Sequence, residues 1–408
     1  MNDHDETTQS ARQPSSAGRR GGVGDLPVAL FLPCAAGAEP LLVDEVGRIL
    51  GADTQLQVDR GGLQVMTDAL GAMRLNLESR LAQRVLWPLA HGPYQNEQDL
   101  YALARTVAWG DWITPAQTFR IDTKFPDLPL TLHLSPTHAT LYADTSGEAL
   151  FKRGWRDAQG LKGEAPLKET LAAAMLAAAG WQGRAEDGPL LDPCCGAGTI
   201  AIEAAQIACG IAPGLQRRFA FEKMLPFRAH QNSWSRLKDA ARARQHAPEV
   251  QIFAGDVSFR MTDFAQRNAD RAGVASAIEF KTADALQRMP PAPQGVMVIN
   301  PPYGERIAPM GSRGGERFNP SGPGQPRPTR EGFEGGGSPT EFFSQLASHW
   351  KHHYAGWTAW VLSPDMKLPQ ALRLKENRRV PMWNGPIECR LFRFELLAGS
   401  ARGKPETL

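Results

Sequence analysis

Cysteine is scarce: five in 408 residues, an odd number spread from Cys34 to Cys389. With no apolar leader at the N-terminus, this excludes a disulfide-built secreted scaffold and points to reduced thiols in the cytoplasm. The early stretch LPCAAGAEP is too short and broken for a leader core. No run approaches the ~20 apolar residues of a membrane span, so no membrane partner is expected. Charge of one sign is also missing. Forty-five basic side chains face 43 acidic ones, so any polyanion site must arise from local clustering. Adjacent Cys194 and Cys195 form no CxxC and have no second pair, so no metal is expected.

What is present suggests about two or three domains. Residues 1–26 are polar, rich in Gly and Ser, and predict a disordered tail. Residues 27–148 alternate short strand and helix patterns: PVALFLPCA, AEPLLVDEVGRIL, TQLQVDR, GLQVMTD, then ALGAMRLNLESRLAQRVLWPL at helical spacing. A helix in DLYALARTVAW and a hairpin in LPLTLHLSPTHATLYADTSG complete a small α+β module. Residues 149–400 begin with a helix over Lys168–Ala179. Apolar strands (GPLLD, VQIFAGD, AIEFKTAD, GVMVIN, TAWVLSP) then alternate with helices, which predicts a parallel sheet covered on both faces. RRVPMW and ECRLFRFEL flank NGP as an antiparallel pair. Residues 309–339 read as a flexible Arg/Gly-rich insertion.

LLDPCCGAGTIAIEAA is a strand, a glycine turn and a helix. Gly196 and Gly198 allow close approach of a ligand to the backbone. GAGTIA alone also fits a dinucleotide fingerprint, which keeps an NAD(P)-dependent oxidoreductase as a rival. Its acid should follow about 20 residues on, and Asp256 comes about three times later. S-adenosylmethionine fits better, because Asp192 suits its ammonium, Asp256 its ribose diol and Asp284 its adenine amine. All three acids end strands at the ligand-binding edge of a parallel sheet. Each, taken singly, also fits an ordinary helix N-cap.

VMVINPPYGERI ends a buried strand on Asn300-Pro301-Pro302-Tyr303. The lone pair of an exocyclic amine on a base is delocalised into the ring. A site accepting both N–H protons, from the Asn300 side-chain oxygen and the Pro301 carbonyl, aims that lone pair at a methyl donor. The prolines hold the acceptors in place beforehand, and Tyr303 offers a stacking face. A plain strand-to-loop turn is the simpler reading.

DPCCGAGT with NPPYGERI resembles class I methyltransferases acting on exocyclic or amide nitrogens. With RGWRD, PLKETLAAA, IAPGLQRRF and NGPIECRLFRFEL, the chain from about residue 28 to 397 resembles the bacterial 23S ribosomal RNA guanine-N2 methyltransferases. The resemblance implies an α/β, Rossmann-like methyltransferase domain with a mostly parallel seven-stranded sheet, preceded by an α+β ferredoxin-like/THUMP module that binds RNA. It implies Asn300, Pro301, Pro302 and Tyr303 as the catalytic loop. Cofactor contacts would come from Asp192, Cys194, Gly196, Gly198, Thr199, Asp256 and Asp284. Pro166, Lys168 and Glu169 would cover the cofactor's methionine end. Ribosomal RNA or an assembling large subunit is the implied partner. The chain departs from the family around Thr123-Lys124-Phe125, where about thirty residues usually intervene.

Basic stretches with interleaved aromatics, LQRRFAFEKMLPFRAHQNSWSRLKDAARARQH and RLKENRR, suit phosphate contact and stacking. They equally suit a solvated helix face. Methylation of adenine N6 or of a glutamine amide, and a role as an RNA-binding assembly factor, remain alternatives.

Overall fold

The computed structural model describes residues 22–121, 127–156, 167–301 and 339–397. The tail to residue 21, the Thr123-Lys124-Phe125 junction, Pro166, Pro302, Tyr303 and nearly all of the 309–339 insertion lie outside them.

The first half contains β1 (Val28–Pro33), α1 (Glu39–Leu50), β2 (Leu56–Asp59), β3 (Gly62–Thr67), α2 (Ala69–Glu78) and β4 (Leu86–Pro93). After these come α3 (Glu97–Arg105), β5 (Phe119–Ile121), β6 (Leu128–Leu134) and β7 (His138–Asp144). Alternation sets which face is buried: Leu30 and Leu32 on β1 are buried while their neighbours are partly exposed. The strands form one sheet in the order β2-β3-β1-β4-β7-β6-β5. The expected hairpin is β6–β7, antiparallel from Leu130↔Ala143.

One expectation changes. The helical spacing read through ALGAMRLNLESRLAQRVLWPL covers two elements, since α2 stops at Glu78 and Leu86 begins β4. The helix ends where the buried Glu45 carboxylate takes the Ser79 hydroxyl and the Arg80 and Leu81 amides. Leu86 onward then pairs with β7 across a register shift at Pro88/Ala90, and Leu86 also meets Phe31 of β1.

The second half contains α4 (Glu169–Ala179), β8 (Leu190–Asp192), α5 (Thr199–Ala208), α6 (Gln231–Ala243), β9 (Ile252–Asp256), α7 (Phe259–Ala272) and β10 (Ile278–Thr282). It continues with β11 (Gly295–Ile299), α8 (Pro339–His353), β12 (Trp357–Ser363), α9 (Leu368–Leu372), β13 (Arg378–Asn384) and β14 (Ile387–Leu396). Its sheet runs β10-β9-β8-β11-β12-β14-β13. Pairings are parallel from β10 to β12, and β14 is antiparallel to both neighbours. Met297, Val298 and Ile299 are all fully buried, as a central strand covered on both faces requires. This is the class I methyltransferase topology. Among the described residues no helix is long and apolar enough to cross a membrane.

Candidate functional site

Four strand ends lie side by side in the order β10, β9, β8, β11. They bring Asp284, Asp256, Asp192 and Asn300 to one carboxyl edge. Between β8 and α5 the chain makes a tight turn in which Gly198 N donates to Cys195 O at 2.7 Å. Cys195 N donates to Gly255 O at 2.7 Å, which ties the turn to β9. Gly196 and Gly198 adopt φ of +50° and +82°, a region unfavourable for residues with a Cβ. Their surroundings differ. A Cβ on Gly198 would lie 3.0 Å from Ala265 Cβ, whereas one on Gly196 would meet nothing nearer than Met261 Cε at 4.0 Å. Gly198 thus serves helix packing, and Gly196 leaves an open backbone face.

Asp256 accepts from Gly196 N at 3.1 Å and from Ser258 N at 2.9 Å. Both carboxylate oxygens are therefore oriented, and each retains acceptor capacity. Burial raises its pKa, against the lowering effect of those two bonds. Asp192 is 1 % exposed. Among the described residues, its Oδ1 takes only a 3.4 Å contact from Cys194 N, and its buried Oδ2 has no hydrogen-bond partner. Burial, reinforced by the Asp256 charge, pushes its pKa up to about 8. One strand away, Asn300 Oδ1 is likewise buried without a hydrogen-bond partner among the described residues. Unpaired buried oxygens cost about 1–3 kcal/mol each, so two on adjacent strand tips mark a place built for donors from a ligand.

The remaining expected contacts fall less directly on this edge. Asp284 Oδ1 accepts from Leu286 N at 2.9 Å, shaping its own turn. Lys168 caps α4, with its Nζ 5.2 Å from the centre of the Phe151 ring. Glu169 is buried and its carboxylate accepts from Arg156 Nε. Cys194 is half-buried beside Asp192, and Thr199 Oγ1 accepts from Arg156 Nη2 at 2.7 Å. Pro301 is buried at the end of β11. Among the described residues, no group of three His, Cys, Asp or Glu side chains is placed to hold a metal.

Residues 153–314 match the RMKL-like methyltransferase domain, 29–86 the RlmL ferredoxin-like domain and 94–135 the THUMP domain. Residues 153–314 thus carry an RMKL-like methyltransferase domain. It is 34 % identical over 373 residues to ribosomal RNA large subunit methyltransferase K/L of Shewanella loihica, covering 81 % of this chain and 48 % of that protein. The Shewanella amazonensis protein of the same name is 32 % identical over 417 residues, covering 91 % and 54 %. The chain spans about half the length of the curated relatives it matches. Among solved structures, SMU.472 complexed with SAH superposes with a TM-score of 0.75 at 22 % identity, covering 91 % of this chain and 98 % of that one. A possible methylase from Clostridium difficile 630 gives 0.74 at 24 %, covering 90 % and 98 %. These likenesses establish the fold.

The RMKL-like domain also contains a brace that the sequence reading missed. Arg156 donates to Leu167 O at 3.0 Å as well as to Glu169 and Thr199, joining the start of α4 to the start of α5. Behind the glycine turn, Asn268 Nδ2 donates to Ala197 O at 2.9 Å. Arg271 joins Asn268 Oδ1, at 2.5 Å, to Trp155 O, at 2.9 Å. The sequence signal was RGWRD itself, which carried the resemblance but suggested no role.

Proposed function

We propose that this chain transfers a methyl group from S-adenosylmethionine to the exocyclic N2 amine of a guanine in large-subunit ribosomal RNA, in the cytoplasm. The carrying observation is the pair of unpartnered buried oxygens, Asp192 Oδ2 and Asn300 Oδ1, flanking an open glycine face. The names of the curated relatives and the THUMP match support RNA as the substrate.

The residues present fit the cofactor. Asp192 offers a desolvated carboxylate to the ammonium, Gly196 lets the amino-acid end approach the backbone, and Asp256 presents an oriented carboxylate to the ribose diol. When bound, the cofactor supplies an electrophilic methyl group on a sulfonium. Asn300 Oδ1 accepts one amine N–H and the Pro301 carbonyl a second, directing the nitrogen lone pair. Positioning carries most of the rate, and no strong base is required. A paired guanine must first leave its stack at a cost of a few kcal/mol, which contacts from the N-terminal module offset. The deciding experiment is tritiated methyl transfer from S-adenosylmethionine onto purified ribosomal RNA, with the label mapped by nucleoside. N2-methylguanosine is expected; label in adenine, or none, rejects the proposal.

Two further results follow from the geometry. The ammonium requires Asp192 ionised, yet below pH about 8 the ligand-free protein holds it protonated. Binding of S-adenosylhomocysteine (SAH) should therefore release a proton, and affinity should fall about tenfold per pH unit below about 8. Calorimetry in buffers of different ionisation enthalpy measures this release, which Asp192→Asn abolishes. A raised carboxylate pKa also means the folded chain binds the extra proton. This group therefore lowers ligand-free stability as pH rises from 3.8 to about 8.

Arg156→Ala should weaken SAH affinity roughly tenfold by freeing α4 from α5. Arg156→Lys, which reaches fewer of the three acceptors, should recover part of it. Unchanged titrations for both variants would show that the brace does not shape the pocket.

A further inference from the structure

A groove of about 550 Å³ runs between α2 of the N-terminal module and α6 of the methyltransferase domain. Its apolar surface includes Leu70, Leu237 and Met66, the last 38 % exposed. Arg74 enters from α2 and Arg236 from α6. Neither has an acidic or hydrogen-bonding partner among the described residues. On α6 and just beyond it, Arg242 pairs with Asp239 at 2.9 Å and Arg244 with Glu78 at 3.3 Å. Lys238 lies over the Trp234 ring. The acid in the groove, Asp68, is already engaged as the α2 cap, accepting from Gly71 N at 2.9 Å.

Two uncompensated guanidiniums of like charge sharing a cleft repel each other unless an anion lies between them. A guanidinium fork matches a phosphate oxygen pair, and an apolar floor can take a ribose or base edge. Given the RNA reading above, on which this rests, we infer that the groove holds a single-stranded segment of the substrate RNA. Arg74 and Arg236 contact its phosphates, and Met66 and Leu237 underlie a nucleotide. The strand is thereby gripped by both domains at once, away from the strand-tip site.

The test measures binding of fluorescein-labelled oligouridine and of purified large-subunit ribosomal RNA across a series of KCl concentrations. For single strands each phosphate contact contributes about 0.7 to the slope of log K against log[KCl]. Arg74→Ala and Arg236→Ala should each make it shallower by about 0.7, and the double variant by about 1.4, with SAH affinity unchanged. An unchanged slope in the double variant, with wild-type RNA binding intact, overturns the inference while leaving the methyltransferase reading standing. Polyglutamate binding lost in the double variant, with the RNA slope unmoved, overturns it in favour of an acidic protein partner. A wild-type chain that binds neither RNA rejects the RNA reading itself, and the groove's role with it.

Discussion

Asn300→Ala should slow methyl transfer by about 10²–10³-fold while SAH affinity stays within about twofold of wild type. Asn300 follows β11, a strand hydrogen-bonded on both sides to β8 and β12, so its oxygen is held by a rigid support. Among the described residues the oxygen is buried without a hydrogen-bond partner; under the proposed function, the ligand-free fold bears that cost for an acceptor used when the amine begins to acquire positive charge. An interaction that strengthens in the transition state lowers kcat and kcat/KM together when removed. Single-turnover kinetics on ribosomal RNA measure both. The same substitution should not lower the thermal midpoint, because it removes an unsatisfied oxygen. A wild-type rate in the alanine variant would mean that other groups orient the amine.

Glu203→Gln is expected to cost about 3–5 kcal/mol of stability. Glu203 lies on α5, directly behind the glycine turn, with its side chain 0 % exposed. Arg153 Nε meets its Oε1 at 3.0 Å and Arg80 Nη1 its Oε2 at 3.2 Å. Arg153 continues to Leu150 O at 2.8 Å and Arg80 O at 2.7 Å, and Arg80 Nη2 donates to Ile211 O. Burial depresses the Arg80 pKa, and the Glu203 charge acts against it. A neutral amide would leave two neighbouring guanidiniums in a poorly hydrated junction without their counter-charge. Because Arg80 belongs to the N-terminal module, the loss should loosen the domain junction as well as α5. Urea denaturation measures the change. Replacing Arg80, Arg153 and Glu203 together with Met, Met and Leu should recover much of it, since an apolar junction desolvates no charge. A loss below about 1 kcal/mol for Glu203→Gln would show that water reaches the junction and screens the arginines.

Much of the second domain is legible in the sequence. Each apolar run from GPLLD to TAWVLSP became a parallel strand. In a parallel sheet, the residue ending such a run comes to the same edge as its counterparts. That is why Asp192, Asp256 and Asn300 could be grouped from sequence alone. The reading failed in LESRLAQRVLWPL, where apolar residues recur at helical spacing by coincidence. Glu45, far back in the chain, ends α2, and pairing with β7 makes Leu86 a strand residue.

The sequence by itself determined the strand–helix alternation, the glycine turn and the set of polar residues at the strand tips. Backbone preference and burial period are written locally, within a few residues of where they act. Only the tertiary structure decided that Glu169 turns to Arg156, that Arg80 reaches Glu203 across 123 positions, and that Arg74 and Arg236 line one groove. A charged side chain takes whichever counter-charge packing brings within reach, and no local pattern records that choice.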